Sequence, residues 1–171
     1  MIIKKFLKKV RIFVLKKTSL KKWNCGRGFY CGYKGVSKTA RIDVGDYVYV
    51  GNKFHFSVGY INIGSYTLVA SQVSIVGGDH IYHKPGVFFR TLDVEKREKV
   101  IIGSDCWIGH GVIIMSGVKI GDGAIVAAGS VVTRSIPSCS IYGGIPARYI
   151  KERFKSVEEK EAHILFLKGK S

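Results

Sequence analysis

The sequence predicts an all-β solenoid: a coil of short parallel strands with one long extruded loop and a short helix at each end. Three observations predict it. First, β-branched residues recur every six positions at Ile102, Ile108, Ile114, Ile120, Val126 and Val132. A period of six matches neither a helix nor a coiled coil. Second, the positions four after these anchors, Cys106, Val112, Val118, Ala124, Ser130 and Ile136, are all small or apolar. Third, glycine is abundant at 21 of 171 residues but does not fall at every third position, which excludes a collagen-like rod. Six residues at about 3.3 Å each make a short flat side and a corner. The anchor points inward, and the small residue after it lets the chain turn. Stacked coils pair their backbones above and below and enclose an aliphatic column.

The net charge is +16, unevenly placed. Residues 1–42 hold thirteen Lys and Arg and no acid; from Asp43 onward there are fifteen basic and twelve acidic residues. The body is near neutral and the N-terminus is a basic arm, so the overall charge does not argue for a nucleic-acid binder. Residues 1–35 read as a helix and lead-in. Over residues 1–22, Ile3, Phe6, Leu7, Val10, Phe13 and Val14 share one helical face, with Lys4, Lys5, Lys8, Lys9 and Arg11 around the rest. Two roles stay open: docking on the solenoid or a neighbouring subunit, or peripheral contact with an anionic membrane. Nucleic acid is disfavoured, because bulky aliphatics alternate with the lysines.

The solenoid is expected over residues 36–150. Its early anchors are Val44, Val50 and Phe56, then Ile63, Val69 and Ile75, displaced by one residue at a corner near Gly59. From Ile75 to Ile102 the spacing is 27, not a multiple of six, so a loop over residues 76–101 leaves the coil. Residues 151–171 carry a second short helix, read over 151–168, whose Val157, Ile164, Leu165 and Leu167 cap the last coil. The cysteines Cys25, Cys31, Cys106 and Cys139 form no C-x-x-C pair, so they are expected as free thiols of a reducing, cytoplasmic protein. The chain has no run of eighteen apolar residues to span a membrane, and Ile12–Leu15 is too short for a signal sequence.

The stretch I-G-S-D-C-W-I-G-H-G-V-I-I-M-S-G-V-K-I-G-D-G-A-I-V-A-A-G-S-V-V-T, ending at Thr133, and the close Y-G-G-I-P-A-R-Y-I-K, Tyr142–Lys151, resemble the hexapeptide-repeat acyltransferases. Small polysaccharide O-acetyltransferases and xenobiotic acetyltransferases are similar. The resemblance covers roughly residues 36–151. It implies a left-handed β-helix, which the general right-handed crossover rule does not suggest. It also implies a homotrimer with active sites between subunits, acetyl-CoA as co-substrate, and a loop histidine as base.

The loop sequence G-G-D-H-I-Y-H (Gly77–His83) supplies the candidates. The resemblance nominates His80, with His83 in reserve. Asp79 either orients the imidazole or caps a turn. A neutral imidazole suits proton removal from an attacking hydroxyl near pH 7. No G-x-S-x-G elbow is present, and Cys106 falls at an inward position, so no covalent intermediate is expected. Trp107 points outward, towards a ligand or a subunit. His110 stands where similar enzymes often have a small residue. Gly109, Ala127, Ala128 and Gly144 keep the surface low for a thin pantetheine arm. Thr133, Arg134, Arg148 and Lys151 occupy positions that bind the nucleotide end of the co-substrate in similar enzymes.

The expected function is therefore acetyl-CoA-dependent O-acetylation of a sugar hydroxyl in a cell-envelope polysaccharide or its precursor, at the inner face of the cytoplasmic membrane or free in the cytoplasm. The alternatives are N-acetylation of a nucleotide-linked amino sugar, antibiotic acetylation, a non-enzymatic trimeric scaffold, and a zinc enzyme like the γ-class carbonic anhydrases with His80, His83 and His110 as ligands. The last lacks that family's spacing, so no metal is expected.

Overall fold

The computed structural model describes residues 20–169. The first coil contributes β1 (Trp23–Cys25), β2 (Tyr30–Cys31) and β3 (Val36–Ser37). The second contributes β4 (Arg41–Val44), β5 (Tyr49–Val50) and β6 (His55–Ser57), and the third β7 (Tyr60–Ile63), β8 (Leu68–Val69) and β9 (Ser74–Val76). After the extruded arm come β10 (Val100–Ile102), β11 (Trp107–Ile108) and β12 (Ile113–Met115), then β13 (Lys119–Ile120), β14 (Ile125–Val126) and β15 (Val131–Val132). β16 (Ser140–Gly144) opens a sixth turn, and β17 (Ala147–Glu152) doubles back on it. Each coil gives one strand to each of three walls. The first wall runs β1-β4-β7-β10-β13, the second β2-β5-β8-β11-β14-β16-β17 and the third β3-β6-β9-β12-β15. All neighbours pair in parallel except β16 with β17.

The anchors stack as the period requires. Ile102, Ile108, Ile114, Ile120, Val126 and Val132 are at most 1% exposed, and the positions four after them are buried too. Ile102 pairs with Ile120, a coil of 18 residues, whereas Val44 pairs with Ile63, a coil of 19. The extra residue sits where β6 ends at Ser57 and β7 begins at Tyr60, the corner formed by Val58 and Gly59.

The glycines after the anchors serve closeness between coils rather than turning. A Cβ on Gly45 would lie 2.5 Å from Ser65 Oγ, one on Gly109 2.5 Å from the Ala128 nitrogen, and one on Gly121 2.5 Å from the Ser138 nitrogen. The left-handed backbone that corners need falls elsewhere, and side-chain-bearing residues hold much of it: Tyr47, Tyr66, Gln72 and Asp105 have φ of 55°, 62°, 62° and 53°. The expectation that the small residue eases the turn is thus corrected: it lets the next coil approach to hydrogen-bonding distance.

The solenoid starts at Trp23, ahead of the expected residue 36. The first coil escapes a search for β-branched anchors because Cys25, Cys31 and Ser37 take those places, in register with Val44, Val50 and Phe56. An aromatic plug fills this end: the Trp23 ring lies 5.9, 5.5 and 5.8 Å from those of Phe29, Phe54 and Phe56. The basic amphipathic helix expected over residues 1–22 lies outside the described residues except for its last three.

The C-terminal helix, α1, is Val157–Lys168, shorter than the expected 151–168. Residues up to Glu152 are captured by β16 as an edge strand, and Ser156 caps the helix by accepting from the Glu159 N–H at 3.2 Å. Asp105 ties the helix to the coil. Its carboxylate accepts from Arg153 at 2.7 Å and meets His163 Nε2 at 3.0 Å. Among the described residues no helix is long and apolar enough to cross a membrane.

Replacing Ile114 by Ala removes a fully enclosed rung and is expected to cost about 2–5 kcal/mol. Lys119→Ala, on the outside of the first wall, is expected to stay within about 0.5 kcal/mol. Urea unfolding midpoints of the two variants check this.

Candidate active site

The arm, residues 77–99, leaves the third wall after β9 and returns into the first wall at β10. It is a hairpin. The Ile81 N–H donates to the Asp93 carbonyl at 3.1 Å, the Glu95 N–H donates to the Asp79 carbonyl at 2.7 Å, and His80 faces Val94 across the pair. Its base is strapped to the coil. Ser116 Oγ donates to the Glu98 carbonyl at 3.1 Å, and the Arg97 carbonyl lies so close over Gly59 that a Cβ there would collide with it. Beyond the hairpin, Tyr82, Phe88 and Phe89 are 72%, 84% and 60% exposed. A monomer gains nothing by presenting three large rings to water, so the arm reads as built to be covered.

His80 and His83 are both exposed on this arm, and the His83 ring stands edge-on to Tyr82 at 5.9 Å. Asp79 lines a cavity of about 440 Å³ together with Glu95, Lys96, Glu98, Met115 and Ser116. No side-chain hydrogen bond joins Asp79 to His80 among the described residues; the contact of Asp79 that holds the hairpin is its carbonyl.

The second wall carries the other candidates. Trp107 is 56% exposed there, and its outward column continues through Ile125 and Ile141 to Lys151. Three interstrand steps separate Trp107 from Lys151, about 14 Å. Alongside runs the corner between the second and third walls, where Gly109, Ala127 and Gly143 succeed one another from coil to coil, followed by His110, Ala128 and Gly144. This ridge of small residues is held by Ser130: its hydroxyl donates to the Ala127 carbonyl at 2.7 Å and accepts from the Gly144 N–H at 3.1 Å. Arg148 is on β17 opposite Gly143, so it shares this end of the ridge with Lys151. Thr133 and Arg134 follow β15, at the same end of the prism but off the third wall.

The sequence-predicted residues therefore fall in two separate groups. Trp107, Gly109, Ala127, Ala128, Gly144, Arg148 and Lys151 share the second wall and its edge. Asp79, His80 and His83 extend from the junction of the other two walls. His110 belongs with the ridge, so the three histidines of the zinc alternative do not converge within one chain. Cys106 is an inward rung: its thiol donates to the Gly121 carbonyl at 3.1 Å, and burial pushes its pKa up to about 12.

Sequence reading missed Ser130 as a site residue, because a serine at an inward position counts only as small. The signal was present: a buried hydroxyl needs partners, and the backbone it finds is the ridge. It also missed Asp105, Arg153 and His163, which lie 48 and 58 residues apart along the chain and meet only through the coil.

Comparison with known proteins agrees with the fold. The family model described as bacterial transferase hexapeptide (six repeats) matches residues 99–134. A protein named as a chloramphenicol acetyltransferase of Morganella morganii is 32% identical over 151 residues, covering 71% of this chain and 72% of that protein. One named as a macrolide acetyltransferase of Lysinibacillus sphaericus is 53% identical over 67 residues, 39% of this chain and 36% of that protein. One named for O-acetyl transfer in lipopolysaccharide biosynthesis in Escherichia coli K12 is 33% identical over 117 residues, 65% of this chain and 57% of that protein. Among solved structures, a galactoside acetyltransferase in complex with coenzyme A has TM-score 0.70 at 26% identity, covering 84% of this chain and 70% of that one. The chain belongs to the hexapeptide-repeat transferase family. It spans 36% of the Lysinibacillus protein and 57% of the Escherichia coli protein.

Because the Cys106 thiol is held neutral in the fold, its pKa lies above the ordinary value of 9.0. The unfolded chain then releases this proton at lower pH than the folded one. Its contribution is full below pH 9 and is lost as pH rises towards 12, by at most about 1.4 kcal/mol per unit. Cys106→Ala is expected to flatten that alkaline decline in urea-unfolding free energy, and native-state thiol labelling of Cys106 is expected to be slow at pH 8.

Proposed function

We propose that the chain is an acetyl-CoA-dependent O-acetyltransferase whose acceptor is a sugar hydroxyl of a cell-envelope polysaccharide or its precursor. The observation that carries this reading is the second-wall column from Trp107 to Lys151 beside the ridge of Gly109, Ala127 and Gly144. A ridge of Gly and Ala, with His110 its one large side chain, admits a thin, amide-rich pantetheine arm close to the backbone. Lys151 and Arg148, about 14 Å from Trp107, supply charge for its phosphates. Thr133 and Arg134 contribute from the adjoining wall. The solved relative with coenzyme A and the relative named for lipopolysaccharide biosynthesis support the co-substrate and acceptor class.

Three copies assemble so that the arm of one chain crosses to the second wall of its neighbour. The exposed rings of Tyr82, Phe88 and Phe89 support this, as does the separation of the two half-sites within a chain. His80 then stands over the thioester. Its imidazole takes the proton of the acceptor hydroxyl as that oxygen attacks the thioester carbonyl carbon. The tetrahedral oxyanion collapses, the C–S bond breaks, and the departing thiolate takes the proton back from the imidazolium. No enzyme nucleophile takes part, in keeping with the neutral, buried Cys106. Asp79 serves the hairpin through its backbone. The basic segment 1–22 holds the trimer near an anionic membrane where lipid-linked sugars are built.

An antibiotic acceptor is the second reading, favoured by the 32% identity to the Morganella protein. Product analysis with saccharide and antibiotic acceptors separates the two.

His80→Ala is expected to lower turnover by about 10²–10⁴-fold, with His83→Ala within a few-fold of the parent. The reverse ranking transfers the base to His83. Lys151→Ala is expected to raise KM for acetyl-CoA about tenfold with kcat little changed, the mark of lost uniform binding. Refolding His80→Ala chains together with Trp107→Ala, Lys151→Ala chains is expected to restore activity above that of either variant alone. No recovery refutes a site shared between two chains.

A further inference from the structure

The first wall differs from the other two. Its outward column runs Lys22, Arg41, Tyr60, Lys99, in register because Trp23 pairs with Ile42, Arg41 with Tyr60, and Ile61 with Val100. The neighbouring column is Asn24, Asp43, Asn62, Ile101, Lys119. Where the arm returns to this wall it roofs a groove of about 320 Å³ lined by Gly59, Tyr60, Lys96, Arg97, Glu98 and Lys99.

Charge in this groove is unbalanced. The lining holds three cations and one acid, a net +2. Among the described residues, none of Lys96, Arg97 and Lys99 makes an ion pair. The acid beside them on the wall is already engaged. Asp43 accepts from the Tyr60 hydroxyl at 2.7 Å and pairs with Arg41 at 3.0 Å, and these bonds hold its carboxyl below the ordinary range. Elsewhere the near-neutral body pairs its charges locally, as in Arg27 with Asp46 and Lys160 with Glu152. The groove is also connected to the proposed base. The Arg97 side chain lies against Gly78, where a Cβ would come within 2.5 Å of Nε, and Gly78 is two residues before His80.

We propose that this groove is a diphosphate subsite that holds the phosphorylated end of the acceptor, so that the acceptor of the transfer is a sugar still attached to its diphosphate carrier. The inference rests on the acetyltransferase reading and narrows its substrate. Arg97 and Lys99, with Lys96 at the border to the cavity of Asp79, Glu95 and Glu98, match a ligand with two negative charges. Lys96 and Lys99 grip the phosphates. Arg97 links the occupied groove to the peptide that carries His80. Nucleotide and lipid carriers share this chemistry, and the test separates them.

The experiment uses the full chain saturated with coenzyme A, so that phosphate-binding groups on the second wall are occupied. Inorganic pyrophosphate is titrated by calorimetry into the parent and into the Lys96→Ala, Lys99→Ala double variant. The expected result is binding at least about tenfold weaker in the variant, with coenzyme A affinity and thermal midpoint unchanged. Equal pyrophosphate affinity in both proteins, or joint loss of pyrophosphate and coenzyme A binding, overturns the proposal. Displacement of pyrophosphate by uridine diphosphate supports a nucleotide-linked acceptor, and displacement by a polyprenyl diphosphate in neutral detergent micelles a lipid-linked one. Pyrophosphate displaced by neither overturns the acceptor role. Failure of coenzyme A itself to bind refutes the acetyltransferase reading instead, and the pyrophosphate titration of the uncomplexed chain still reports on the groove.

Discussion

The structure depends on one approach distance, the spacing at which each coil hydrogen-bonds the next. The Gly45 N–H donates to the Ile63 carbonyl at 2.8 Å, Gly64 to Ile102 at 2.8 Å, Gly103 to Ile120 at 2.9 Å and Gly121 to Ile136 at 2.9 Å. These bonds run one after another up a single corner, and a Cβ on those glycines would intrude on the neighbouring coil. Burial of the anchors follows from the same spacing, because branched aliphatics stacked about 4.8 Å apart exclude water without gaps. Polar side chains complete the corners in the same vertical manner. Asp46 accepts from the Arg27 N–H at 2.7 Å, Ser65 Oγ accepts from the Asp46 N–H at 3.1 Å, and Asp122 accepts from the Ser104 N–H at 2.7 Å.

That constraint explains how much was legible beforehand. The period and the interruption at residues 77–99 stand in the sequence because the approach distance selects residue types by position. The first coil was not legible. It meets the same distances with cysteine, serine and a plug of aromatics, so its anchors break the residue pattern while keeping the register. The extent of the C-terminal helix was misread because Lys151 and Glu152 fit a helix as well as they fit β17, and only the free edge of β16 decides between them. The outward position of Trp107 was readable from its place between two inward residues. The hold of Ser130 on Gly144, and of Asp105 on Arg153 and His163, was not, since each joins residues whose nearness is created by the coiling.

A regular coil is poorly suited to chemistry, and this bears on where the site lies. Outward positions on a wall repeat every coil, so any group placed there has a neighbour of similar kind about 4.8 Å above and below. Such repetition suits a long, thin ligand that reads backbone and low relief, the kind proposed for the Gly109–Ala127–Gly143 ridge. It does not suit a single base that has to reach one proton. The arm breaks the repetition. Its hairpin bonds hold the peptide around His80, and its strapped base fixes where the hairpin leaves the coil.

The same contrast separates the walls by charge. On the second wall the outward column is aromatic and aliphatic until Lys151. On the first it is cationic, with Asp43 already consumed by Tyr60 and Arg41. The arm leaves the third wall after β9 and carries its own lysines back to the cationic first wall at β10. The apolar half, with the ridge and Trp107, faces away from it. Its exposed rings Tyr82, Phe88 and Phe89 and the open second wall with Trp107 are the surfaces that the proposed assembly would cover. On the proposed reading, catalytic competence and assembly become one event: a free subunit would hold a base with no thioester beside it and a ridge with no base above it.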